Sequence, residues 1–367
     1  MKYFGFLLIG AFALCSCSGP EKPAEAETAK ADSISDPLVL PGEKHFRNIR
    51  QLTFGGDNAE AYWNFGNSGL VLQVTNPKWN VSCDQIFLLD PFGKRDSSML
   101  PMVSTGKGRT TCSYFMPGDS TVLYASTHLA GEACPEVPQR GPGGEYVWAI
   151  YSSYDIFEAD LNGKIIRQLT DEPGYDAEAT VSPKGDLIVF TSDRSGDLEL
   201  YTMNVDGGEV KQITNSLGYD GGAFFSPDGE NLIFRASRPQ TPKEQLKYKE
   251  LLAQGLVQPS SMELYICRKD GSELRQITSL GGANWCPYMH PDGKRVVFAS
   301  NYQSERGFPF NLFMINVDGT GLEKITSDGT FDAFPMFSFD GKYLVWSSNR
   351  NNGGTRETNI FMAEWQD

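Results

Sequence analysis

The run Arg50-Gln51-Leu52-Thr53 near the start of the chain recurs as Arg167-Gln168-Leu169-Thr170, Lys211-Gln212-Ile213-Thr214, Arg275-Gln276-Ile277-Thr278 and Glu323-Lys324-Ile325-Thr326. Each later copy closes a unit of four short β patterns. The plainest unit is 171–214: an inner run EATVS, the turn SPKG, the alternating run DLIVFTS, the run LELYTMN and, after VDGG, the run EVKQIT. Alternation over four to eight residues, bounded by Gly and Pro, marks half-buried strands. A four-stranded unit recurring about every 45 residues is a propeller blade, which buries its faces only by stacking on neighbours.

The first copy, at 45–53, has no three strands ahead of it, whereas 332–364 supplies three strands and no fourth. The two fragments make one blade, so strand 45–53 completes the C-terminal unit and closes a ring. Six inner turns, at 64–67, 116–119, 182–185, 226–229, 290–293 and 338–341, count the blades. The expected fold is all-β, a six-bladed propeller of four-stranded antiparallel blades over 38–367. Unit four is interrupted at 239–261, where Thr241-Pro242-Lys243-Glu244 forms a capping box and predicts one short helix reaching Gln254, ended by Gly255.

Residues 1–17 carry one Lys, an apolar stretch too short to span a bilayer and small residues before a Cys, the pattern of a secretory signal. Leu14-Cys15-Ser16-Cys17 resembles a bacterial lipobox, which implies acylation at Cys17 and a lipid-anchored envelope protein, periplasm-facing or at the outer membrane. Residues 18–37 are polar and expected to be a flexible tether. The five other cysteines, 83, 112, 134, 267 and 286, form neither a zinc pattern nor a disulfide framework. Cys83 and Cys134 fall in rim loops of adjacent units and are candidates for a disulfide; Cys267 reads as core. The formal net charge of −14 argues against nucleic acid and anionic bilayers and permits a cationic partner.

The turn SPDG at 226–229, the strand ends TSDR at 191–194 and SSNR at 347–350, the hairpin LYTMNVDGG and the RQLT series resemble the TolB-like, WD40-like propeller repeat of bacterial envelope proteins. The resemblance covers 45–367 and is strongest from 155 onward; units one and two depart from it, with NFGN and MPGD as inner turns. It implies a propeller and, as partners, other envelope proteins. Fold likeness among propellers says little about function.

Alignment on the inner turns gives columns that ring the axis. The first reads Asn58, Thr110, Asp176, Asp220, Asn284 and Asp332; two residues on, and by strand alternation on the same side, come Glu60, Cys112, Glu178, Gly222, Cys286 and Phe334. The second strands end at His128, Arg194, Arg238, Tyr302 and Arg350 on the same face. These arginines are read either as ion-pair partners of the Asp column or as ligand contacts. Every unit but the third carries a long loop on that face, where unit three has only Ser195-Gly196-Asp197. The insertions of units two, with Tyr146, Trp148, Tyr151 and Tyr154, and four are expected to wall a groove, with Trp285 beside it.

Candidate binding residues at the channel mouth and rim are therefore Glu60, His128, Trp148, Asp176, Glu178, Arg194, Asp220, Arg238, Trp285, Asp332 and Arg350. No catalytic residue is assigned, because neither GxSxG nor HExxH occurs. No cofactor is expected. Calcium is the one ion whose oxygen preference Glu60, Asp176, Glu178, Asp220 and Asp332 suit. The leading expectation is a monomeric, non-enzymatic envelope lipoprotein that binds a protein or peptide, meeting the membrane through its lipid anchor only. Alternatives are a metal- and carboxylate-dependent lyase or hydrolase, and a glycan-binding module.

Overall fold

A computed structural model describes residues 36–367 apart from Gln139, Arg306 and Asp328. The leader, Cys17 and the tether as far as Ser35 lie outside the described residues, whereas Asp36 and Pro37 belong to the folded unit. Asp36 accepts hydrogen bonds from the backbone N–H of Leu38 (2.9 Å) and Ile49 (2.6 Å).

The inner strands of the six blades are Asp57–Trp63, Thr110–Phe115, Asp176–Val181, Asp220–Phe225, Asn284–Met289 and Asp332–Phe337. Blades two to five are four-stranded and antiparallel. Ring closure follows the expected route: Phe46–Gln51 pairs with Asn359–Trp365, setting Phe46 opposite Trp365. Blade one departs from expectation with three strands, Asp57–Trp63, Leu70–Asn76 and Val81–Leu89, and only a single bridge from Phe87 to Met102 outside them. The chain after Leu89, DPFGKRDSS, has no apolar alternation with which to build a fourth strand.

The recurring Thr of the RQLT series has a physical role in ending each blade. The Thr Oγ1 of residues 53, 170, 214, 278 and 326 accepts the backbone N–H of Ile360, Ile156, Leu200, Leu264 and Leu312 respectively, at 2.8 to 2.9 Å. All five Thr are buried. Each third-strand N–H lies where the short outer strand stops, so the hydroxyl replaces a missing carbonyl. Units one and two keep the inner turn in altered letters: Asn67 and Asp119 take the left-handed backbone, with φ of 56° and 57°, which Asn and Asp tolerate.

Each inner strand is broken at the same point. The ladder to the second strand shifts register after Ala59, Thr111, Ala177, Gly221, Trp285 and Ala333. The next residue, Glu60, Cys112, Glu178, Gly222, Cys286 or Phe334, has φ between 46° and 58°. These are β-bulges, which bend a strand and re-aim a side chain. They overturn the expectation from strict alternation that the Asp column and the Glu60 column share a face.

The insertion in blade four forms the helix Pro242–Leu252, capped by Thr241 with both bonds of the capping box, and ends two residues before the expected Gln254. Cys83 and Cys134 form a disulfide with Cα atoms 6.0 Å apart, tying blade one to the rim loop of blade two. Cys267 is buried and free. Thiol counting on unfolded protein is expected to gain two reactive groups on reduction. Cys134→Ser is expected to lower stability to urea by about 2–4 kcal/mol; an unchanged thiol count would exclude the bond.

Candidate functional site

Two layers of side chains fill the axis of the ring. The lower layer comes two residues after each bulge: Tyr62, Tyr114, Thr180, Phe224, Tyr288 and Met336, all buried. Tyr62 of blade one meets Phe224 of the opposite blade four edge-on, ring centroids 5.3 Å apart, and Phe224 meets Tyr288 in the same way at 5.3 Å. Aromatic edges and faces attract in this geometry, and the contact across the axis plugs the channel at this depth. Above the plug, all six bulge residues line a cavity of about 970 Å³.

The cavity holds two carboxylates in the bulge column with opposite electrostatics. Glu178 accepts hydrogen bonds from Tyr219 Oη (2.6 Å), Thr191 Oγ1 (2.8 Å) and the Gly222 N–H (2.8 Å), and it forms an ion pair with Arg235. Burial pushes its carboxyl up, but the Arg235 charge and these bonds outweigh burial and hold it below its ordinary range. Glu60 is equally enclosed, and its Oε2 has no hydrogen-bond partner. Burial raises its carboxyl to about 7, helped by Glu178 and Asp84 and opposed by a hydrogen bond from the Cys112 thiol and by Arg235.

The strand register explains the contrast. The second-strand positions facing the bulges are Gln73, Ala125, Thr191, Arg235, Ala299 and Ser347 in blades one to six. Glu178 therefore sees Thr191 in its own blade and Arg235 in the next. Glu60 has Gln73 in its own blade, but Gln73 Oε1 faces blade two and accepts from the Cys112 N–H and Thr111 Oγ1, both at 3.2 Å. The corresponding residue of blade two, Ala125, has no polar side-chain atom. Gly222 completes the Arg235 site, because a Cβ there would run into the guanidinium.

The rim insertions form the walls. Trp148–Ala149 from blade two pairs with Leu256–Val257 from blade four as a two-stranded sheet. Lys247 in the helix meets Glu145 at 3.2 Å, the Ile150 N–H donates to the Gly255 carbonyl at 2.7 Å, and Tyr248 donates to Asp197 in the short turn of blade three. The two insertions thus join across the blade that lacks one. An aromatic series continues around the wall, from Trp148 to Trp285 (5.2 Å) and on to Phe310 of the blade-five insertion (4.4 Å, stacked). Trp285 Nε1 donates to the Pro259 carbonyl of the blade-four insertion at 2.9 Å.

Residues 136–253 match the family model described as the TolB beta propeller domain. The chain folds as a TolB-like propeller. Among solved structures, a protein assigned as TolB from Agrobacterium tumefaciens is 17% identical, with 85% of this chain and 91% of that one covered and a TM-score of 0.53. An oligogalacturonate lyase from Vibrio parahaemolyticus is 10% identical, with 86% and 93% covered and a TM-score of 0.50. TolB from Acinetobacter baumannii is 17% identical, with 86% and 64% covered and a TM-score of 0.49. None of the curated proteins matches the chain. At these identities the likeness is one of fold.

In this TolB-like propeller, four of the eleven residues expected from sequence line the cavity: Glu60, Trp148, Glu178 and Trp285. The others lie elsewhere. Asp176, Asp220 and Asp332 are buried, and each faces the arginine ending the second strand of its own blade. Arg194 donates to both oxygens of Asp176 (3.0 and 2.8 Å), Arg238 pairs with Asp220, and Arg350 lies 3.5 Å from Asp332. Arg350 also pairs with Glu43 at 2.9 Å and so holds the N-terminal segment. His128 occupies the same position in blade two, where the column residue is Thr110 in place of Asp, and it bonds Ser126 Oγ at 2.9 Å. The five carboxylates considered for calcium are divided between blade interiors and cavity. Among the described residues, no three His, Cys, Asp or Glu are grouped to hold a metal ion.

Arg235, Tyr219 and the Asp84–Arg109 pair also line the cavity but were not singled out from sequence. The signal for Arg235 is the pairing of columns: blade four alone has Gly at the bulge and Arg in the facing strand.

Arg235→Met or Glu178→Gln, by leaving one member of a buried pair, is expected to cost about 3 kcal/mol or more in urea unfolding. For Glu60 the folded carboxyl, at about 7 against an ordinary 4.5, binds its proton more tightly than the unfolded one. Its stabilising contribution is complete below the ordinary value and is lost as pH rises through about 7. Glu60→Gln cannot titrate and is expected to lose less stability than the parent between pH 4.5 and 8, by roughly 3 kcal/mol. Parallel pH profiles would refute that assignment.

Proposed function

We propose that this protein is a non-enzymatic binding protein of the cell envelope, which holds a protein or peptide partner on its insertion-bearing face with a partner side chain in the cavity. The observation that carries this reading is the joining of the blade-two and blade-four insertions over blade three, which builds a walled aromatic cavity on one face. At its mouth Tyr146 and Phe308 are 53% and 65% exposed, and Val137 is 48% exposed. Aromatic side chains in such positions act as anchor sites for a partner.

The acidic balance of the chain favours a basic partner, and the lipobox-like leader puts the meeting place at the envelope surface. No helix among the described residues is long and apolar enough to cross a membrane. The proposed attachment, through an acylated Cys17, rests on the lipobox-like leader alone.

The test is affinity capture from an envelope fraction. A partner retained by the parent is expected to be retained at least tenfold less by Trp148→Ala. Leu274→Ala, an exposed residue next to an outer strand, is expected to retain it fully. Equal retention by all three proteins would overturn the reading.

A further inference from the structure

Resting on that reading of the face, we propose that the cavity recognises an alkylammonium group of a peptide, a lysine side chain or a free N-terminus, by an ion pair with Glu60. Among the described residues three carboxylates line the cavity, and two of them have a cation from the chain: Arg235 at Glu178, and Arg109 at Asp84. Glu60 is the third. It is 9% exposed, and its Oε2 is buried without a partner. The residues that complete Glu178 from two sides, Thr191 and Arg235, correspond around Glu60 to Gln73, which is engaged by blade two, and Ala125.

The groups facing Glu60 define what it accepts. They are the thiols of Cys112 and Cys286, the phenol of Tyr62, the Glu178–Arg235 pair and Asp84 with its Arg109. No unpaired cation is among them, since Arg140, the remaining arginine of the described cavity lining, is exposed and is not among the charges acting on Glu60; two further carboxylates lie nearby. A second cation is therefore favoured electrostatically, while an anion is repelled. Much of the remaining wall is aromatic, with Tyr154, Tyr175, Tyr219, Trp148, Trp285 and Phe334. Two of these rings already stack against a cation, since Arg235 lies 5.3 Å from the ring centre of Trp148 and 5.0 Å from that of Tyr219. Aromatic faces attract ammonium groups as well as guanidinium. An alkyl stem suits the apolar wall, and its ammonium reaches the carboxylate at the floor.

Binding is coupled to ionisation. Below about pH 7 the Glu60 carboxyl holds a proton, which the incoming ammonium displaces to solvent; above it the carboxylate is ready. For a lysine ammonium, affinity is thus expected to be constant from about pH 8 to 9 and to fall roughly tenfold per pH unit below about 7; for a free α-amine, whose own proton leaves near about pH 8, it is expected to pass through a maximum between about 7 and 8.

The experiment titrates the protein by calorimetry with four probes: N-acetyl-lysine methylamide, leucine methylamide with its free α-amine, N-acetyl-norleucine methylamide and N-acetyl-glutamate methylamide. At pH 8 one or both amines are expected to bind at least tenfold more tightly than the neutral and acidic probes, and which amine binds identifies the source of the ammonium. At pH 6, titrations in two buffers of different ionisation enthalpy are expected to show release of up to one proton. Glu60→Gln keeps size and shape and is expected to remove both the preference and its pH dependence. Equal binding of lysine and norleucine probes, tighter binding of the glutamate probe, or an unchanged Glu60→Gln would overturn the proposal. Partner capture separates the two readings: if Glu60→Gln captures normally while Trp148→Ala does not, only the ammonium site fails. If both capture normally, the binding face fails with it.

Discussion

A left-handed residue interrupts the inner strand of every blade at the same register, and the contents of the axis follow from it. In a regular strand the residues at i and i+2 point the same way, so Asp176 and Glu178 would share one environment. The bulge separates them. Asp176 turns into the blade and meets Arg194, while Glu178 turns to the axis. Five of the six bulge residues are not glycine, and each bears a strain of order 1 kcal/mol. The sixth is glycine for a further reason, because Arg235 occupies the space a side chain would need. One backbone device repeated six times thus delivers six different groups to a common point, and the aromatic layer two residues on closes the space beneath them.

The rim is shaped by the loop that is missing. Blade three turns back through Ser195, Gly196 and Asp197, leaving its top uncovered by chain of its own. The insertions on either side meet there through a two-residue sheet, one ion pair and the contact of Tyr248 with Asp197. Individually such contacts are weak, and an exposed ion pair contributes about 1 kcal/mol or less. Their combination with the Trp148–Trp285–Phe310 series fixes loops of three blades relative to the scaffold. Positioning a binding wall in this way reduces the ordering cost that flexible loops would incur on meeting a ligand.

Blade count, ring closure, the capped helix and the rim insertions could be read from sequence because each rests on local patterns: strand alternation, turn residues, a capping box and a strand without its blade. The Thr column was visible as a motif, and its reason, replacement of a carbonyl at the end of the third strand, required the fold. The site was half legible. Columns identified Glu60 and Glu178, whereas Asp176, Asp220 and Asp332 were placed beside them because alternation ignores a bulge. Glutamate and cysteine at a left-handed position carry no letter-level signal of the kind glycine gives in a turn. Arg235 was concealed for a different reason: an arginine inside the apolar run NLIFRAS looks like a break in a strand, and its sense appears only when blade four is set beside the others and Gly222 faces it.

The two buried glutamates illustrate how a closed ring distributes charge. Each bulge residue lies between its own second strand and that of the next blade, so its ionisation depends on two positions distant in sequence. Around Glu178 those positions supply a hydroxyl and a guanidinium, and the carboxylate stays charged. Around Glu60 they supply an amide engaged elsewhere and a methyl group, so burial dominates and the proton is retained to near neutrality. A buried carboxyl with one unpartnered oxygen destabilises the protein relative to a paired equivalent. Its burden is relieved by any ligand that completes it, and completion from outside requires a path to Glu60. The plug of Tyr62, Tyr114, Phe224 and Tyr288 closes the axis below, and the six bulge residues, Glu60 among them, line the cavity on the side of the insertions.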